Sequence, residues 1–168
     1  MTQIPPRFDT LADWLARESG ASDLRLTAMH KLAGGAIQEN WHVELVVDGG
    51  VFAGVTQLVL RTDAPSSVGE SHGRAHEFAL LRAACDAGVR VATPHLLCTD
   101  TRIIGTPFFI MDYRAGLGQA RKITRDPALA THGNRLAADL GREMARIHSV
   151  TTDATGLSFL PLAGDNAS

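Results

Sequence analysis

Two charged residues sit where apolar patterns should be uninterrupted. Arg61 ends the run Leu58-Val59-Leu60, and sixteen residues later Glu77 falls inside His76-Glu77-Phe78-Ala79-Leu80-Leu81-Arg82-Ala83-Ala84. The first run reads as a strand and the second as a helix, with a polar, proline-containing loop between them. Residues three and four apart share a helix face, so Glu77 falls on the stripe of Leu80, Leu81 and Ala84. A carboxylate on a buried stripe is costly unless it is paired, and Arg61 is the nearest candidate partner. A strand-borne cation held by a helix-borne carboxylate can grip phosphate. The plainer alternative leaves Glu77 at the edge of an amphipathic helix and Arg61 in solvent. A second feature is Gly34-Gly35, where backbone N–H groups could approach a phosphate without Cβ interference. The same pair also serves as an ordinary hairpin turn.

The elements that would position these residues follow from periodicity. Residues 8–18 read as a short amphipathic helix with Leu11, Trp14 and Leu15 on its apolar side, stopped at Gly20. Strands are expected over residues 24–32 and again from Trp41 to Val47, where apolar residues alternate with His42 and Glu44. Asp48-Gly49-Gly50 reads as a hairpin turn into a strand over residues 51–61, interrupted at Gly54. The glycine pair thus joins two antiparallel strands, whereas a Rossmann or Walker glycine loop joins a strand to a helix. After the helix around Glu77, Ala87-Gly88 is a stop, residues 95–99 a short strand, and residues 108–113 an apolar strand central to the sheet. Residues 118–134 read as polar and irregular. Leu136, Leu140, Met144 and Ile147 then mark an amphipathic helix from about Gly133 to His148, its stripe used for packing. Leu157, Phe159, Leu160 and Leu162 in the tail want an apolar partner, which suggests that the chain stops before its fold is complete.

Composition sets outer bounds. The chain has 168 residues, 45% of them hydrophobic and 20% charged, with a formal charge of -2 and a pI near 6.4. That is ordinary for one globular domain, and no basic block points to nucleic acid or an anionic membrane. Residues 1–7 lack the apolar stretch of a secretory leader, and no apolar run approaches the roughly 20 residues that span a bilayer. Cys85 and Cys98 stand apart without metal-ligand spacing, which suggests buried thiols in a reducing, cytoplasmic setting.

Taken together, six segments resemble the aminoglycoside phosphotransferase family, which includes choline-kinase-like phosphotransferases and has a protein-kinase-like fold. They are residues 32–41, 58–61, 77–81, 94–98, 105–113 and 140–148, in the family's order. The resemblance implies an α+β first lobe: an antiparallel sheet of about five strands with a packed helix, followed by the first helix of a helical second lobe. Residues 1–116 would be the nucleotide-binding lobe, and residues 117–168 the hinge exit and the start of an incomplete second lobe. Gly34, Gly35, Ala36, Ile37, Gln38 and Asn40 would lie over the nucleotide phosphates. Arg61 would stand where the family has a strand lysine contacting the α- and β-phosphates, and Glu77 would orient it. Met111, Asp112, Tyr113 and Arg114 would form the hinge, with the Asp112 carbonyl and the Arg114 N–H meeting adenine.

Two departures qualify the resemblance. Arg61 is planar and permanently charged, so it can grip phosphate bidentately but in a different geometry from lysine. The family's His-Gly-Asp catalytic loop is missing: His132-Gly133-Asn134 and Ser71-His72-Gly73-Arg74 are the nearest strings, and both lie in the wrong place. Catalytic base and metal ligands are therefore expected outside this chain. The implied activity is transfer of the γ-phosphate of ATP, or GTP, with Mg²⁺, to a small-molecule hydroxyl. This chain would supply nucleotide binding and be inactive alone. A second lobe or another copy of the chain would cover the apolar tail. One alternative is a non-catalytic nucleotide-binding or interaction domain, truncated or pseudokinase-like. Another is a small α+β domain that binds no nucleotide.

Overall fold

The computed structural model describes residues 4–33, 38–64, 73–116, 120–152 and 156–160. The chain divides into two units, one of Met1–Phe78 with Ala92–Tyr113, the other of Ala79–Val91 with Arg114–Ser168.

The first unit is built on an antiparallel sheet. Helix α1 (Leu11–Ser19) precedes strands β1 (Asp23–Lys31), β2 (Gln38–Asp48) and β3 (Gln57–Asp63); β4 (Pro94–Cys98) and β5 (Phe108–Asp112) follow later in the chain. Their spatial order is β1-β2-β3-β5-β4, every pair antiparallel. This is the five-stranded α+β sheet that the sequence implied. Strand alternation sorts the side chains into two sets. One face presents Met29, Val43, Leu45, Leu58, Leu60, Phe108 and Ile110, and these form a single core with Phe8, Leu11, Trp14 and Leu15. Trp14 meets Phe108 edge-on with ring centroids 4.9 Å apart, and Phe8 meets Trp41 at 5.0 Å. By the register Asn40↔Arg61, His42↔Val59, Arg61↔Phe109 and Val59↔Met111, the opposite face carries those residues together with Gln38 and Glu44.

The strand expected over residues 51–61 is shorter at its start. Residues 51–54 form a turn, and β3 begins at Gln57. Gly49, Gly50 and Gly54 all have positive φ, a region open to glycine at no steric cost. The turn is seated against the end of α1, where the Val51 N–H donates to the Ser19 carbonyl at 2.9 Å. Phe52 is buried in the core and meets the His95 ring edge-on at 5.4 Å.

Helix α2 (Arg74–Asp86) begins in the first unit and continues into the second. The second unit also holds the short helix α3 (Ala120–Ile123) and the long helix α4 (Pro127–His148). The sequence suggested irregular chain over residues 118–134; instead α4 starts at Pro127. Asp126 is its N-cap, its carboxylate accepting from the Ala128 N–H at 2.9 Å. An Asp cap followed by proline at the first helical position is a strong start signal. The helix therefore begins six residues before Gly133, where the sequence pattern placed its start.

Helix α4 is turned opposite to the expectation from its stripe. Leu136, Leu140, Met144 and Ile147 are 41% to 58% exposed. Its charged side makes the contacts: Glu143 accepts from the Arg90 backbone N–H at 2.9 Å and from Arg90 Nε at 3.0 Å, and also pairs with Arg146 at 2.6 Å. The bond from the Arg90 backbone, helped by Arg146, holds the Glu143 carboxyl below the usual range. In the tail, Leu157 is buried, so the described part of the tail is not the chief exposed apolar surface.

Candidate functional site

Arg61 stands on β3, on the sheet face opposite the α1 core. The structure brings Glu77 to it: Arg61 Nε donates to Glu77 Oε1 at 2.8 Å, and Nη2 lies 2.6 Å from the same oxygen. The remaining contacts come from β2. Arg61 Nη1 donates to Asn40 Oδ1 at 3.1 Å and Nη2 to Gln38 Oε1. All three guanidinium nitrogens are thus engaged by a carboxylate and two side-chain amides, which locks the plane of the fork. The side chain is still 20% exposed, so solvent reaches it.

A second arginine completes the cluster. Arg74, the first residue of α2, has a side chain only 1% exposed; its Nη1 donates to Glu77 Oε2 and its Nε stands 3.1 Å from Asp63 Oδ1. Glu77 therefore bridges two guanidiniums, one through each carboxylate oxygen. That resolves the cost of placing an acid on this helix: its charge is doubly compensated. The sequence reading missed Arg74 and Asp63. A signal was available, because Arg74 precedes Glu77 by three residues and so shares its face.

The other anticipated residues are distributed as follows. Gln38 and Asn40 contact Arg61 as above; Gly34, Gly35, Ala36 and Ile37 lie outside the described residues. Met111 and Asp112 end β5, with Tyr113 next and Arg114 already in the second unit. The Asp112 N–H donates to the Thr93 carbonyl at 3.0 Å, and its Oδ1 lies 2.7 Å from His95 Nε2. Tyr113 packs on His42, ring centroids 4.3 Å apart, so a tyrosine and a histidine adjoin Val59 on the Arg61 face. His132-Gly133-Asn134 lies inside α4 and is no catalytic loop.

On the other face of β2, Glu39 is buried against three donors: Arg7 Nη2 at 2.5 Å, Lys31 Nζ at 2.8 Å and Trp41 Nε1 at 3.0 Å. Burial alone would raise its pKa, but the hydrogen bonds from Lys31, Arg7 and Trp41 outweigh it and bring the carboxyl down to about 2. Glu39 is a fixed anion that clamps the segment before α1 to the β1–β2 edge. It belongs to the scaffold of the site rather than to the Arg61 cluster.

The model of the APH phosphotransferase enzyme family matches residues 28–166. The chain belongs to this family. Among relatives of this phosphotransferase-family chain, "Acyl-CoA dehydrogenase family member 10" of Mus musculus is 36% identical over 114 residues, which is 65% of this chain and 10% of the mouse protein. The Arabidopsis thaliana protein named "Probable acyl-CoA dehydrogenase IBR3" is 31% identical over 118 residues, covering 67% of this chain and 14% of that protein. The chain thus spans a small part of the length of either relative. A crystal structure of a Ralstonia eutropha JMP134 protein assigned as an aminoglycoside phosphotransferase is similar, with a TM-score of 0.47 and 21% identity. The match covers 66% of this chain and 29% of that one. Among the described residues, no helix is long and apolar enough to cross a membrane.

Proposed function

We propose that this chain is the nucleotide-gripping part of a phosphotransferase that moves the γ-phosphate of ATP or GTP to the hydroxyl of a small molecule. The observation that carries this reading is the Arg61 fork. It is a preset cation with solvent access, oriented by Glu77 and faced by two neutral amide oxygens. Phosphate oxygens can replace Gln38 and Asn40 as acceptors while Glu77 keeps its hold. Bidentate guanidinium–phosphate contacts would then fix the α- and β-phosphates. Tyr113, half-buried on the same side of the sheet, offers a ring face for a base.

Mg²⁺ would neutralise charge on the transferring group in such a reaction. The carboxylates beside Arg61 do not suit that ion, because Glu77 and Asp63 are already engaged by guanidiniums. The reading therefore places the metal ligands and catalytic base outside these 168 residues. The two acyl-CoA dehydrogenase relatives match over a stretch that is a small fraction of their length, and the family that this stretch belongs to is a phosphotransferase one. Dehydrogenase chemistry is not carried across.

Calorimetry with Mg-ATP and Mg-GTP tests the grip. Wild type and Arg61→Lys should both bind, since lysine keeps the cation, whereas Arg61→Met should lose at least tenfold in affinity. Equal binding by Arg61→Met, or none by wild type, would overturn the assignment. Pure protein should show no metal-dependent phosphotransfer, and turnover in a kinase-free preparation would refute that part. A non-catalytic nucleotide-binding or interaction domain is the second reading, favoured by the exposed stripe on α4.

A further inference from the structure

We propose that His30, His42 and Glu44 form a site for a divalent transition metal of the zinc class, on the same sheet face as Arg61. The three residues come from neighbouring strands. His30 pairs directly with His42 across β1 and β2, and Glu44 follows two residues later on the same face of β2. Their ligand atoms all lie within 4.8 Å of one another. The two imidazoles have centroids 4.6 Å apart, and His42 Nδ1 stands 3.7 Å from Glu44 Oε1.

A second observation points to a ligand. His42 is only 6% exposed, yet neither of its ring nitrogens has a hydrogen-bond partner. Buried polar atoms are almost always satisfied, and an orphaned pair marks an absent ion or water. Val59 lies opposite His42 on the neighbouring strand, and the Tyr113 ring packs against it. A metal on one of the nitrogens would relieve this, and it would set the tautomer through the other.

The donor set selects the metal. Two imidazoles and one carboxylate suit zinc and its neighbours, whereas magnesium and calcium prefer oxygen ligands throughout. Zinc–nitrogen bonds of about 2.0–2.1 Å put tetrahedral ligand atoms about 3.4 Å apart, so the cluster must contract slightly. His30 is exposed and Glu44 half-buried, so both can rotate inward while His42 stays anchored. Three protein ligands leave a fourth position open, the pattern of a reactive or regulatory site rather than a closed structural one. The proposal does not depend on nucleotide binding at Arg61.

The test is titration of tag-free, metal-stripped protein with Co²⁺, read by the visible bands of tetrahedral cobalt, followed by calorimetry with Zn²⁺. One equivalent should bind with tetrahedral bands, and His30→Ala and Glu44→Gln should each weaken binding by about tenfold or more. Both substitutions are at accessible positions, so they keep the test decisive if His42→Phe fails to fold. No saturable binding, or binding indifferent to His30→Ala and Glu44→Gln (as the two cysteine thiols would give), would overturn the proposal.

Discussion

Glu77 holds two arginines with one carboxylate, so its removal has two consequences that separate experimentally. Glu77→Ala frees the Arg61 fork and should weaken Mg-ATP binding at least tenfold. It also leaves Arg74 buried with Asp63 as its remaining ion-pair partner. Breaking a buried pair costs roughly 3–5 kcal/mol, and Asp63 should keep the loss near or below the lower end of that range. Denaturant unfolding measures the second effect, calorimetry on the folded variant the first; undiminished affinity would sink the orienting role. Glu39 gives a prediction in pH. Its folded pKa lies at about 2, below the usual 4.5, so its contribution is complete above pH 4.5 and fades as pH falls toward 2. Glu39→Gln should lower stability at pH 7 by roughly 3 kcal/mol and flatten the acid limb of the curve. An unchanged acid limb would show that other carboxylates govern it. At this scale the sequence was legible where a charge broke an apolar pattern, as Arg61 and Glu77 do. It marked Arg74 only by its spacing from Glu77 and was silent on Asp63, a residue brought near only by the fold.

Elements differ in how much of their placement is local. Helix α4 owes its start to Asp126 and Pro127, and it runs through Gly133, where an added Cβ would meet nothing within 4 Å. Gly133→Ala should therefore stabilise the helix by about 1 kcal/mol, seen as a rise in thermal midpoint; a fall would mean that the residue is not helical. The β2–β3 connection makes the opposite case. At Gly50, φ is +68° and a Cβ would stand 2.4 Å from the Ser19 carbonyl oxygen and 2.7 Å from the Ala21 nitrogen, while Gly54, φ +78°, has open space. Gly54→Ala should cost about 1 kcal/mol for backbone strain alone. Gly50→Ala should cost distinctly more, since helix-end backbone must move. Equal losses would show that the turn is not pressed on α1. Alternation marked β2, which has one face on the core, and an unbroken apolar run marked β5, where the consecutive residues Phe108, Phe109 and Ile110 are all buried. It misread residues 51–54, because Phe52 is buried from a turn and imitates a strand position.

At the scale of the whole molecule, an apolar stripe on α4 faces solvent while its charged side is engaged. Amphipathic patterning says that a stripe exists but not which side a neighbour covers, so the sequence could not reveal the reversal. An exposed row of four large apolar side chains favours association. The protein should elute larger on size exclusion as concentration rises, and Leu140→Lys with Met144→Lys should abolish the trend; a wild type of constant size would contradict this. The two units also lend themselves to separate observation. Both tryptophans, Trp14 and Trp41, lie in the first unit and pack with Phe108 and Phe8. The longest helix, α4 with 22 residues, lies in the second. Indole emission therefore follows melting of the sheet and is blind to α4, whereas far-ultraviolet dichroism is weighted toward α4. Superimposable melts by the two optical signals would mean one cooperative transition, and a gap between them would give the stability of each unit from a single sample.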